Sequence, residues 1–292
     1  MDKRQFVVVA DSACDMPASY YQEKGVELIK LGFMMNNISY EGEDGETMPE
    51  QEFYRLLREG GMPTTYQATA EMAKPHIEKY LTEGKDVLVL AFSSALSGTA
   101  NSFVLAAKEL SEAYPDRKIR VVDTLCASMG EGLFLDYVLK KADTGASIEE
   151  TVDYAEELKL KIVHFFTVDN LFHLKRGGRV SAATAIVGSV LQIKPIMHVD
   201  NQGRLIAIGK AMGRKKSLMT LLDNLFAVAE LGEDDPIFIS HGDCIDDVEW
   251  TKKQILARKP DAKIMVNYIG AVIGSHSGAG TVAIFCKGKN RG

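Results

Sequence analysis

A chain of 292 residues, 46% hydrophobic and 25% charged with no low-complexity tract, has the composition of a globular protein and the length for two domains. No apolar run approaches the roughly 20 residues of a membrane span, and Met1-Asp-Lys-Arg-Gln leads straight into a strand-like segment rather than a signal-peptide core, so the cytoplasm is the expected compartment. The net charge of −6 is unevenly divided, with 16 Lys/Arg against 28 Asp/Glu in residues 1–160 and 18 against 12 in residues 161–292, and the acidic half speaks against a nucleic-acid binder.

In chain order, Phe6-Val-Val-Val-Ala10 is short, β-branched and closed by polar Asp11-Ser-Ala-Cys-Asp15, the pattern of a buried strand entering a turn. Comparable runs lie at 26–31, 87–92, 119–122, 162–168, 193–199, 236–240, 263–268 and 281–286. Between several of them, as at 102–110 and 132–140, apolar residues recur at helical spacing. Ser147 followed by Glu150 marks a helix start with a capping box. Strands alternating with helices imply βαβ units, hence an α/β fold with a mainly parallel sheet and flanking helices. The pattern starts afresh where the charge changes sign, so the expected division is 1–160 and 161–292, two α/β domains, with the 61–70 loop a candidate to pack on the second.

Cys14, Cys126, Cys244 and Cys286 are far apart, with no Cys-x-x-Cys pair, and read as free thiols; no metal-ligand set or cofactor motif is visible. Gly278-Ala-Gly-Thr-Val-Ala283 has dinucleotide-fingerprint spacing but precedes a strand where the fingerprint must open a helix. Four other segments carry hydroxyls, histidine or glycine beside strands: 11–17, 63–69, 93–99 and 274–280. Ligands in open α/β sheets sit beyond the carboxyl ends of strands, where such loops gather. Ser93-Ser-Ala-Leu-Ser-Gly-Thr99 passes from strand to helix and suits an anion such as a carboxylate, or else Ser97 merely caps the helix. His276, between glycines, is either a head-group donor, strengthened by protonation, or an ordinary loop histidine. Lys175-Arg-Gly-Gly-Arg179 is a tight corner whose glycines permit backbone conformations closed to other residues. It begins a stretch, 175–216, with nine basic residues and one acid, readable as a docking surface or a solvated face.

Taken together, Asp11-Ser12…Asp15, Pro63–Thr69, Ser93–Thr99, Asp123-Thr124…Ser128, the run from Phe165 through the Gly-Gly corner to Met197, and His276–Thr281 resemble, in order, the signature segments of the DegV family. Tyr66 and Ala68 depart from its usual Ser and Pro, and Met212 stands where relatives often carry arginine. The resemblance implies a two-domain DegV-like fold binding one long-chain fatty acid, as the FakB-type subunit of a fatty acid kinase system. Such a subunit presents the carboxyl to a separate ATP-dependent kinase, for acyl-phosphate formation in phospholipid synthesis, and catalyses nothing alone. By motif position, Thr65 and Ser97 would bond the carboxyl with His276 beside it, and Thr64, Ser93, Ser94 and Gly98 would support them. Apolar residues in 165–174 and 182–191 would line the acyl tunnel. Lys175, Arg176, Arg179, Arg214, Lys215 and Lys216 become the candidates for docking the kinase, with at most transient membrane contact. Two alternatives remain beside this reading: a lipid sensor or carrier without a kinase, and a Ser97/His276 acyl hydrolase, for which the sequence offers no orienting acid.

Overall fold

The computed structural model describes residues 4–42, 45–181 and 192–291. Strand β1 (Phe6–Asp11) is buried at nearly every position, as a strand covered on both faces must be. A short 3-10 turn, Ser12–Cys14, and helix α1 (Ala18–Lys24) return the chain to β2 (Val26–Ile29), parallel to β1. Next come β3 (Gly32–Met35), β4 (Ile38–Glu41), α2 (Glu50–Arg58) and β5 (Thr64–Tyr66), whose strands form a separate antiparallel sheet in the order β4-β3-β5. Helix α3 (Ala70–Thr82), β6 (Asp86–Ala91), α4 (Thr99–Ala113) and β7 (Ile119–Asp123) complete the first large sheet, β2-β1-β6-β7, parallel throughout. On one face Val9, Val87 and Val89 pack with Ala73, Ile77 and Phe103 of α3 and α4.

Helix α5 (Met129–Ala142) is apolar almost all round and buried along nearly its whole length, so it belongs inside the molecule rather than on its surface. It lies against the turn after β1 on one side and the second large sheet on the other, joining Leu88 and Leu90 to Phe166, Phe238 and Phe285 in one core. Helix α6 (Ile148–Leu158) follows, and its capping box between Ser147 and Glu150 is present as the sequence indicated. The remaining elements are β8 (Ile162–Thr167), α7 (Phe172–Arg176), β9 (Ile193–Val199), β10 (Leu205–Met212), α8 (Arg214–Val228), β11 (Ile237–His241), α9 (Ile245–Arg258), β12 (Ile264–Tyr268), α10 (Ala271–Ser277) and β13 (Val282–Lys287). Their sheet runs β10-β9-β8-β13-β11-β12.

The fold is the α/β arrangement expected, but the second sheet is mixed: only β11 and β12 run parallel. Strand β8 is buried at all six positions and has the continuous apolar pattern of a parallel strand, although both neighbours are antiparallel. Four strands were not apparent from the sequence. Strands β3 and β4 form a hairpin turned by Asn36 and Asn37, both at positive φ, an Asn-Asn signal weaker than Asn-Gly. Strand β5 has only three residues, and β10 is a largely exposed edge strand with a bulge near Gly209.

Candidate functional site

The hydroxyl-rich loops at the strand ends are held by buried carboxyls. Asp11 accepts hydrogen bonds from the N–H groups of Ala13 (2.9 Å) and Phe92 (2.8 Å), tying the end of β1 to the end of β6; burial pushes its pKa up to about 7. Ser12 accepts from the Leu31 N–H. Asp15, at φ +51°, accepts from Ser128 Oγ at 2.5 Å, and Ser128 pairs with Ser240 at 2.9 Å; burial raises Asp15 to about 8. The Asp-Ser-x-x-Asp segment therefore braces the site from beneath.

Above it lies a cavity of about 380 Å³ between the two large sheets, roofed by α7 and α10. Most of its wall is apolar: Leu31, Phe92 and Leu96 from the first half, Phe166, Leu174, Leu205, Ile273 and Phe285 from the second. Its size falls within the roughly 300–1,000 Å³ common for small-molecule sites. Thr65, Ser97, Gly98, Arg179 and His276 all face it. Thr65 Oγ1 and His276 Nε2 are 2.8 Å apart, although 211 residues separate them in sequence. Burial, then the charges of Arg179 and Arg176, depress His276 to about 4, so the imidazole is neutral near pH 7 and not the protonated donor that the sequence allowed. If the Thr65 hydroxyl donates to Nε2, the Nδ1–H is free. If Nε2–H donates to Thr65, the hydroxyl proton is free. Only the second arrangement leaves a donor for an incoming carboxylate, the Thr65 hydroxyl, because Nδ1 is buried against Gly177.

Helix α4 is capped at Gly98, not at Ser97, yet Ser97 Oγ accepts from the Thr99 N–H at 3.3 Å and pairs with Thr99 Oγ1 at 2.9 Å. It thus sits in the cavity wall at a helix start, where an anion is favoured. The histidine predicted in a loop is instead on α10, a helix whose residues 272, 273, 276 and 277 border the cavity.

The basic corner is bound into this site. Arg176 donates to the carbonyls of Pro63 (2.8 Å) and Ser275 (3.1 Å), pinning the loop before β5 to α10. Arg179 donates to the carbonyls of Leu96 (3.0 Å) and Gly177 (2.5 Å). Gly178 takes φ +73°, and a Cβ on Gly177 would stand 2.1 Å from His276 Nδ1, so the first glycine makes room for the imidazole. Arg214 pairs with Asp247 at 2.8 Å and donates to Gly280 O. Three of the six candidate docking residues are therefore committed internally, because the sequence displays cations but not the carbonyls that receive them. Lys175, Lys215 and Lys216 are exposed.

Ser93 is fully buried and donates to Gly203 O at 3.0 Å; Ser94 and Thr64 are exposed; none of the three lines the cavity, whereas Gly98 does. Of 165–174, Phe166 and Leu174 reach the cavity, while Phe165 packs on the sheet's opposite face; 182–191 lies outside the described residues. Sequence reasoning missed Gln67, Ser128, Ser277 and the cavity role of Arg179; the three-to-four spacing of Ile269, Val272, Ile273 and His276 was the available sign of a helical wall. His276 bonds Thr65 and Ser97 bonds Thr99, and among the described residues His276 Nδ1 has no hydrogen-bond partner and no acid orients a Ser–His pair. Among the described residues no His/Cys/Asp/Glu group is arranged to hold a metal, and no helix is long and apolar enough to cross a membrane.

Comparison with known proteins finds the family model "Uncharacterised protein, DegV family" matching residues 5–289. A DegV domain-containing protein of Clostridium perfringens is 43% identical over 289 residues, 99% of each chain. A Thermotoga maritima protein named fatty acid-binding protein is 33% identical over 280 residues, 94% of this chain and 95% of its own. Among solved structures, a Thermus thermophilus DegV family protein described for its fatty acid binding superposes with a TM-score of 0.87 at 31% identity, covering 97% of this chain and 99% of that one.

Proposed function

Because this chain belongs to the DegV family, we propose that its cavity binds a long-chain fatty acid and presents the carboxyl to a separate ATP-dependent kinase for acyl-phosphate formation in phospholipid synthesis. The observation that carries the reading is the cavity itself: a largely apolar wall that includes Ser97 and the Thr65–His276 pair, 2.8 Å apart. The fatty-acid binding described for the Thermotoga and Thermus relatives supports it. In this reading the chain is a substrate-holding subunit in the cytoplasm, without catalysis or cofactor of its own, with its units divided near 160/161 around the ligand.

The energetics fit. Burying ~14 methylenes at roughly 0.8 kcal/mol each contributes about 11 kcal/mol, from which several are lost to immobilisation, leaving binding of about micromolar affinity or tighter. A carboxylate buried without partners would cancel much of that. Thr65 and Ser97 supply hydroxyl donors, with the neutral His276 orienting Thr65, while Arg179 faces the cavity with its guanidinium donating to the carbonyls of Leu96 and Gly177. The carboxylate is thus solvated without a committed arginine partner and stays free to attack a phosphoryl group. Lys175, Lys215 and Lys216 are the exposed cations left to meet the kinase.

The test is denaturing extraction and mass spectrometry of the purified chain, followed by delipidation and reloading with palmitate or oleate. Retained binding, with Ser97→Ala and His276→Ala each lowering affinity about tenfold, supports the reading; failure to bind any fatty acid after reloading refutes it. Pull-down of an ATP-dependent kinase that turns over the loaded protein decides between the kinase subunit and a stand-alone carrier.

A further inference from the structure

The helix that carries His276 has no side-chain cap of its own. Helix α10 starts from Gly270, which has no side chain to accept from the first turn. An acceptor comes instead from the other half of the molecule: the Asp15 carboxyl, 6% exposed, accepts from the Gly270 N–H. The approach is close, since a Cβ on Gly270 would stand 2.6 Å from Asp15 Oδ1. Asp15 Oδ2 is 2.5 Å from the hydroxyl of Ser128, the residue before α5, and the Asp15 carbonyl accepts from Asn267 on β12 at 2.8 Å. Ser128 borders the cavity, as do residues 272, 273 and 276 of α10. One buried carboxyl thus joins two helix starts beside the cavity.

The groups facing Asp15 are acidic or neutral. Asp11 and Cys14 lie on its own segment, Tyr21 on α1, Glu50 and Tyr54 on α2, and Glu131 on α5, while Ser128, Ser240 and Asn267 are uncharged. None of these is a cation. A buried charge without a counter-ion is costly, so the carboxyl keeps its proton near pH 7, in line with its rise to about 8. In that form Oδ2–H donates to Ser128 Oγ while Oδ1 still accepts from Gly270. About 9 Å of helix rise separates Gly270 from His276. A carboxylate bound beside His276 would therefore face ionised Asp15 as a second anion across the cavity wall. We infer that neutral Asp15 is a positioning residue for the ligand carboxylate: it fixes the start of α10, and through it the His276–Thr65 pair, and its ionisation promotes release of the ligand. The inference rests on the proposal that the cavity holds a fatty acid with its carboxyl at Thr65 and Ser97.

The experiment titrates the delipidated full chain with oleate, below its micelle concentration, by displacement of a fluorescent fatty acid between about pH 6.5 and about pH 9.5. As Asp15 ionises around pH 8, the wild type should lose roughly tenfold in affinity, the effect of two unit charges about 10 Å apart at an effective dielectric of about 20. Asp15→Asn keeps an acceptor for Gly270 and a donor for Ser128 but cannot ionise. It should bind oleate more tightly than Asp15→Ala near pH 7 and escape the alkaline loss. Asp11 and the ligand titrate in both proteins, so the ratio of wild-type to Asp15→Asn affinity at each pH isolates Asp15. Asp15→Ala should lose roughly tenfold near pH 7, and little more when added to His276→Ala, whose imidazole it would no longer place. Where the alanine variant does not fold, the Asp15→Asn profile decides. A profile for Asp15→Asn that falls in parallel with the wild type, or an Asp15→Ala loss undiminished in the His276→Ala background, overturns the inference while leaving fatty-acid binding intact. Failure of the wild type to bind oleate at any pH overturns the underlying reading as well.

Discussion

Replacing Gly177 by alanine should damage ligand binding and spare the fold. At φ −75° and ψ −8° the backbone is one that alanine accepts, so no conformational strain follows, and a less flexible unfolded chain even favours alanine slightly. The added methyl, however, would stand 2.1 Å from His276 Nδ1, where ordinary contact begins at 3.4 Å. The ring must retreat by more than an ångström, and the 2.8 Å bond from Nε2 to Thr65 cannot survive that. Losing the imidazole that orients Thr65 should cost as much as removing it, about 1.4 kcal/mol or roughly tenfold in affinity. Gly178 supplies the control. It sits at φ +73° with open space for 4 Å around the point a Cβ would occupy, so alanine there costs about 1–2 kcal/mol of backbone strain and a few degrees of melting temperature, with affinity unchanged. Fatty-acid displacement titration and thermal unfolding on both variants separate the two effects. In a His276→Ala background, Gly177→Ala should have nothing left to displace and cost little more. Equal losses of affinity with and without the imidazole, or wild-type affinity in Gly177→Ala, would refute the clash argument.

Two further outcomes follow from buried groups. Burial raises Asp15 to about 8 against an unfolded value near 3.8, so the native state holds a proton that the unfolded state has released, and stability falls as pH rises toward 8 by up to about 1.4 kcal/mol per unit. His276, depressed to about 4, contributes with the opposite sign only below its unfolded value of 6.5, so melting temperatures between pH 6.5 and 9 should drop for the wild type and drop less for Asp15→Asn; parallel curves would count against the argument. Arg291 is 1% exposed and donates to the carbonyls of Leu125, Lys159 and Asp200, joining the end of the first sheet's last loop to the second half. Arg291→Met should therefore cost at least about 3 kcal/mol in urea unfolding, and a loss below ~1 kcal/mol would show those carbonyls to be satisfied some other way.

What the sequence made legible, and what it hid, divides by the range of the interaction. The capping box at Ser147 spans three residues and stood out in the sequence, as did the passage from β6 through Ser93–Thr99 into α4, because local backbone needs dictate residue types nearby. The parallel first sheet was legible for the same reason: three of its four strands, β1, β6 and β7, are each followed by a helix. The second sheet was not, since a strand buried on both faces reads alike whichever way its neighbours run, and β8 gives no local sign that β9 and β13 oppose it. At the site, the residue types of Thr65 and His276 were visible, but their contact spans 211 residues and belongs to the fold alone. Arg176 shows the limit most plainly. Its charge suggested a partner outside the molecule, while its acceptors, Pro63 O and Ser275 O, are backbone atoms that every residue possesses and no pattern marks. The Gly-Gly corner joins both cases: a positive φ at Gly178 is a local demand, whereas Gly177 answers to an imidazole 99 residues further along the chain, so the pair looks uniform in sequence and carries two separate functions in the structure.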